Sequence, residues 1–361
     1  MHRIPAMENL REPFDIGEIP GVDLTCGGRL HPREHQIANI LQSDEDEIPR
    51  WQSLTKKAMH SAGFSFFSAI PQIWKIRKIV KQASAPDDTT VFCPANPNAE
   101  KVIMDFIGRF LKKESRIKGM ENIAEAMELN AQGESVQFYS VPHQSALEPV
   151  FLKILLQREA AKTANGREKE AAEALIQQLV VLIGQKVLHN NFRRAFSMAV
   201  NGLFTVPPKY RANIGKDEKL LLTEHSSNIA IIIEYMRSDP RFAMFIFPEG
   251  GFTRDKQIGF QMMTAKVLPE THIVPIYTES PEGFLRPELG NDMHMSPSSV
   301  HVYAGKPFHL EEGSTATRIS ALVTTCRNNV RAMGAPIKTR EWGYMKRDRN
   351  SDKGERFIPV I

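Results

Sequence analysis

The chain is poor in cysteine. Cys26, Cys93 and Cys326 are the only three in 361 residues. They lie far apart, an odd number cannot pair completely, and no two have a metal-ligand spacing. That excludes a disulfide scaffold and leads us to expect reduced thiols in a reducing compartment. No run approaches the roughly 18 uninterrupted apolar residues of a membrane-spanning helix, so none is expected. The opening, MHRIPAMENLREPFD, has proline and acidic side chains where a signal peptide needs an apolar core, and it lacks the acid-poor look of a transit peptide. Excess charge is missing too. A net charge of +4 makes no demand for nucleic acid. Positive charge here is local, suited to an anionic small molecule or a membrane surface.

What the chain does have is apolar content. At 42% hydrophobic residues it can bury a full core, and its length admits a large α/β domain with an added helical part. Residues 1–98 read as an N-terminal region. Its first fifty residues are broken by Pro5, Pro13, Pro20 and Gly27-Gly28. His31 and His35 have a metal-compatible spacing near Cys26, but Pro32 breaks the helix and no further donor completes a set, so we read a surface loop there. From about 51 to 83 the apolar spacing is helical. The segment IPQIWKIRKIVKQ suits a helix packed on the main domain with a solvated basic face, or one in peripheral contact with an anionic membrane. A polar, proline-rich stretch over 84–98 marks a domain boundary.

Residues 99–335 alternate between helical and strand patterns. Helices are expected over 102–111 and 119–131, with Gly133 as a C-terminal stop. A strand follows at 136–141, and a helix opens at Pro149, where proline's missing N–H costs nothing. The charged stretch 158–170 reads as a surface insertion, 171–183 as a helix, 203–206 as a short strand, and 219–237 as a helix. FAMFIFPEGG reads as a buried strand running into a glycine turn, 272–277 and 300–303 as strands, and 315–333 as a closing helix. Helices between strands predict an α/β fold: a mostly parallel mixed sheet flanked by helices, with a smaller N-terminal helical domain. Residues 336–361 read as a charged, mobile tail.

Chemistry concentrates where the strand at 136–141 meets the next helix. His143 and Glu148 lie five positions apart on that corner, a place where rigid elements hold a functional loop. Imidazole accepts and returns protons near neutrality, and a carboxylate on its other nitrogen fixes the tautomer and stabilises the imidazolium. Such spacing is common by chance, so the other segments carry weight. Gly202 begins a strand leading into a basic loop with Lys209 and Arg211, preceded by Phe196-Ser197-Met198. Phe247-Pro248-Glu249-Gly250-Gly251 is followed by Arg254, and Val274-Pro275-Ile276 is a short apolar segment.

In this order, over roughly residues 100–310, the four segments resemble the glycerolipid acyltransferases. The likeness is strongest to the soluble glycerol-3-phosphate acyltransferases of plastids and chlamydia-like bacteria. Leu10-Arg11-Glu12-Pro13-Phe14-Asp15 also looks like a segment of that family. The family's corner, NHQ(S/T)xxDP, matches Pro142, His143, Gln144, Ser145, Glu148 and Pro149. Glutamate replaces the family's aspartate, proline replaces its asparagine, and Phe252 and Thr253 are extra between the glycines and Arg254.

The resemblance implies a glycerol-3-phosphate 1-O-acyltransferase that forms lysophosphatidate, with His143 and Glu148 catalytic. Lys209, Arg211, Arg254 and, more weakly, Lys256 would bind the phosphate. Glu249, Gly250 and Gly251 would shape the acceptor site, with Glu249 touching the glycerol hydroxyls. Glycerol 3-phosphate is the implied acceptor, and acyl-carrier protein or acyl-CoA the donor. Arg193, Arg194 and Lys186 offer a basic patch for either donor. No metal, cofactor or nucleic acid is implied, and the compartment would be the bacterial cytoplasm or plastid stroma, with the protein soluble or peripheral. Two alternatives keep the scaffold: a lysophosphatidate acyltransferase, and a non-catalytic lipid- or carrier-binding protein.

Overall fold

The computed structural model describes residues 75, 78–79, 92–143, 145, 147–184, 197–205, 243–250, 257–266, 270–279, 297–337, 341–347 and 355–360. Of the helical pattern expected over 51–83, Lys75, Lys78 and Ile79 are described, and all three are helical. The rest of residues 1–91, with Cys26, His31 and His35, lies outside the described residues, as does the helix expected over 219–237.

In chain order the elements begin with β1 (Phe92–Cys93), α1 (Pro97–Gly108), β2 (Arg116–Lys118), α2 (Met120–Ala131) and β3 (Val136–Val141). Next come α3 (Glu148–Lys162), α4 (Gly166–Gln178), β4 (Leu179–Gly184), β5 (Asn201–Thr205), β6 (Ala243–Ile246) and β7 (Gln257–Gln261). A 3-10 turn at Met262–Lys266 leads to β8 (His272–Glu279), β9 (His301–Ala304), α5 (Thr315–Ala332), β10 (Glu341–Arg347) and β11 (Glu355–Pro359). The strands are mostly parallel and alternate with helices, an α/β architecture. Among the described residues no helix is long and apolar enough to cross a membrane.

The chain divides into two compact units, residues 1–106 with 180–239 and residues 107–179 with 240–361. In the first, β5 pairs parallel with β4 and antiparallel with β1. Asn96 accepts from the Ala99 N–H at 3.0 Å just before Pro97, a cap followed by a proline that needs no donor, so α1 begins there rather than at 102.

In the second unit the strands run in the order β6, β3, β8, β9, β2. β3 is parallel to both neighbours and buried at all its positions, Gln137 and Ser140 included, so its apolar residues do not alternate cleanly with exposed polar ones. Its pleat sends Tyr139 and Val141 into a core with Tyr277, Tyr303, Trp342 and the Ile319, Leu322, Val323, Cys326 and Val330 stripe of α5. Phe138 and Ser140 face the other way. Burial pushes the Cys326 thiol well above its ordinary pKa, so it stays a neutral core residue.

α2 is locked to β9 at one point. Gly119 sits at φ 89°, and a Cβ there would collide with the Ala304 carbonyl oxygen, to which Asn122 Nδ2 also donates at 2.8 Å. At the other end of α2, Gly133 adopts φ 94° and stops the helix, as expected from its position.

Three sequence expectations are corrected. The stretch 158–170 is not an insertion: α3 continues to Lys162 and α4 begins at Gly166, capped by Asn165 accepting from Arg167 N–H at 3.2 Å. The segment 171–183 changes type midway. Its helix ends at Gln178, and the β-branched run Leu179–Gly184 becomes β4. The C-terminal tail is a sheet. β10 pairs parallel with β7 and antiparallel with β11, and Trp342 packs on Phe260 with ring centroids 6.1 Å apart. Charges cluster at the ends of EWGYMKR, so a charge count over the tail hides the alternation that puts Trp342 inside.

Two half-buried histidines set a pH response. The His272 imidazole stacks, tilted, on His309 with centroids 3.7 Å apart. Its pKa is held below the ordinary 6.5, first by burial and then by His309, against the opposing pull of Glu134 and Glu125. Burial likewise lowers His301. The folded state therefore binds fewer protons than the unfolded chain: stability is fully present above the unfolded value and drains as pH falls through and below it. The urea midpoint should be lower at about pH 5.5 than at about pH 7.5, and His272→Gln should shrink that difference. An unchanged difference in the variant, or none in the parent, contradicts this.

Candidate active site

The site forms at the carboxyl end of β3. The chain leaves the sheet at Val141, passes a cis Val141–Pro142 bond and presents His143, then enters α3 at Glu148. Helix α3 thus starts one residue before Pro149, and Glu148 is its first residue rather than part of the loop. Leu147, at the cap position, contributes no side-chain cap. Ser145 organises the approach instead: its hydroxyl accepts from the Leu147 N–H at 3.1 Å. A carboxylate in the first turn is also favoured by the helix dipole.

The Glu148 carboxylate is 2% exposed. Oε1 accepts from the Ser145 N–H at 2.8 Å, and Oε2 accepts from the Ser140 hydroxyl at 3.2 Å. The same Oε2 lies 3.5 Å from His143 Nδ1, at the outer edge of hydrogen-bonding range. A buried carboxylate is tolerated only when donors replace its lost water, and the Ser145 N–H and the Ser140 hydroxyl do so. Nδ1 faces the Glu148 carboxylate, an arrangement that can hold an imidazole in one tautomer for acid–base chemistry.

A second loop reaches the histidine from β6. Glu249 Oε2 accepts from the His143 backbone N–H at 2.7 Å. Phe247 stacks on the imidazole with centroids 3.6 Å apart and planes 28° from parallel, and Phe245 meets Phe247 edge-on at 5.3 Å. Gly250 closes this turn at φ 64°, its N–H donating to the Phe247 carbonyl at 2.9 Å. Gln261, ending β7, braces it: its N–H donates to Pro248 O at 2.7 Å and its Nε2 to Glu249 O at 3.3 Å.

Of the residues expected at the site, His143, Glu148, Glu249 and Gly250 come together. Lys209, Arg211, Gly251 and Arg254, like Lys256, Gln144, Arg193, Arg194 and Lys186, lie outside the described residues. Sequence reasoning passed over Ser140, and it left Ser145 and Phe247 as motif positions without a role. A small hydroxyl near the end of a buried strand was the available signal for Ser140; Phe247 carries none beyond being apolar. The apolar side chains of α3 from Val150 to Leu156 are buried core, together with the aliphatic length of Lys153.

The carboxylate network makes a stability prediction. Ser140→Ala removes a fully buried donor to a carboxylate and should cost about 1–3 kcal/mol in urea unfolding. A loss within measurement error would mean that Ser140 does not hold Glu148.

No family model matches this chain, and no curated protein matches it at a significant level. The chemistry of the site therefore rests on its own residues.

Proposed function

We propose that the protein is an acyltransferase, with glycerol 3-phosphate as acceptor and its sn-1 hydroxyl as nucleophile. The observation that carries this is the His143–Glu148 pair at the end of β3, its carboxylate fixed by Ser140 and the Ser145 N–H. In this reading Nε2 of His143 takes the hydroxyl proton as the oxygen attacks the carbonyl carbon of an acyl thioester. The tetrahedral intermediate then collapses, the C–S bond breaks, and the proton returns to the thiolate. Glu148 steadies the imidazolium. The products are the 1-acyl ester and a free thiol.

The order of the four sequence segments supports the choice of acceptor. Lys209, Arg211 and Arg254 are the cations we assign to its phosphate on that basis. Acyl-carrier protein or acyl-CoA supplies the thioester, and the bacterial cytoplasm or plastid stroma is the compartment that goes with this reading.

The test is a product assay with glycerol 3-phosphate, lysophosphatidate as competing acceptor, and a panel of acyl thioesters. Esterification at the sn-1 position is expected, and His143→Ala should lower it by about 10²–10⁴-fold. Glu148→Asp withdraws the carboxylate by about one C–C bond from the Ser145 N–H and from Nδ1, and should lower kcat by about ten- to a hundredfold. Transfer to lysophosphatidate alone would move the acceptor assignment. Absence of transfer would leave a binding scaffold, and transfer unaffected by His143→Ala would remove His143 from the chemistry.

A further inference from the structure

Glu249 was expected, from the family resemblance, to touch the acceptor's hydroxyls. Its geometry points elsewhere. The residue is 8% exposed, and Oε2 lies 2.7 Å from the backbone nitrogen of His143, the distance of a short, charge-assisted bond. The same four-residue turn delivers Phe247 to the face of the imidazole. One turn therefore grips the histidine twice, at its main chain through Glu249 and at its ring through Phe247.

The turn is itself held. The Gly250 N–H closes it onto Phe247 O, and Gln261 donates to both Pro248 O and Glu249 O. A Cβ on Gly250 would stand 3.1 Å from Gln261 Cγ, so the brace is tight on that side, and φ 64° disfavours any other residue there. Gln261 is paired in register with Met345 of β10, so the C-terminal sheet backs the turn.

We propose that Glu249 is a positioning residue: its carboxylate fixes the His143 main chain, and with it the height of the imidazole above the end of β3, rather than binding the acceptor. The kinetic consequence rests on the acyl-transfer reading; the geometric one does not. A base displaced by about 1 Å loses on the order of a hundredfold in rate. A residue that only orders the base should change kcat and leave acceptor binding alone, whereas a ligand of the glycerol hydroxyls should change KM.

The experiment compares Glu249→Gln and Glu249→Ala in the full chain by two readouts. In nuclear magnetic resonance, the His143 amide proton of the parent should lie far downfield, move upfield in Glu249→Gln and move further in Glu249→Ala. In the acyl-transfer assay, Glu249→Ala should lower kcat about a hundredfold with KM for glycerol 3-phosphate within about twofold. Glu249→Gln should recover most of the rate, because its amide oxygen can accept the same N–H. A KM raised about tenfold or more with kcat held would overturn the proposal. So would a His143 amide resonance unchanged in both variants. If the parent turns over no substrate, the acyl-transfer reading falls alone, and the amide resonance still decides the role of Glu249.

Discussion

A carboxylate buried at the end of the central strand sets the terms for everything near it. Glu148 is nearly sealed from water, so its charge must be met by donors within the protein. The strand supplies one through Ser140, the loop a second through the Ser145 N–H, and the His143 ring lies beside Oε2. Each of these groups is where it is because β3 ends at Val141 and α3 begins at Glu148, with six residues between them. The corner therefore cannot relax without exposing an unpaired charge. An imidazole on such a corner keeps its orientation before any substrate arrives, and that is the preorganisation the proposed general-base role requires.

The sheet brings the second loop to the first. β3 and β6 are parallel and adjacent, so their carboxyl ends lie at the same level, and the loops leaving them meet. Glu249 reaches the His143 main chain and Phe247 covers its ring across a separation of about a hundred residues in sequence. β7 and the C-terminal strands then close around the outer side of that loop through Gln261. Residues distant from the chemistry thus belong to the same mechanical unit as the histidine, and Trp342, inside the core beside Phe260, anchors that unit.

Legibility in the sequence followed burial. β3 was readable to the residue because a parallel strand covered on both faces is mostly apolar at every position, and Gly133 because a helix end needs a left-handed residue. The start of α3 lies one position before Pro149, the residue whose missing N–H marks it in sequence, and Ser145 orders the turn before it. The segment 171–183 misled because apolar content does not reveal period, and only the β-branched residues after Gln178 mark the change. The C-terminal strands were hidden by flanking charge. At the site, the pair His143 and Glu148 was visible as residue types at a spacing. The contact between Glu249 and the His143 main chain was not, since a backbone N–H has no sequence signature.

The central claim is that Glu148 holds His143 with Nδ1 inward and Nε2 ready to accept a proton. The most direct measurement is the nitrogen-15 spectrum of the His143 ring in the ligand-free protein above neutral pH, which distinguishes the two neutral tautomers. The account requires the proton on Nδ1 and a bare Nε2. A neutral ring carrying its proton on Nε2 would contradict it, because the carboxylate would then face a lone pair and the outward nitrogen could not act as the base.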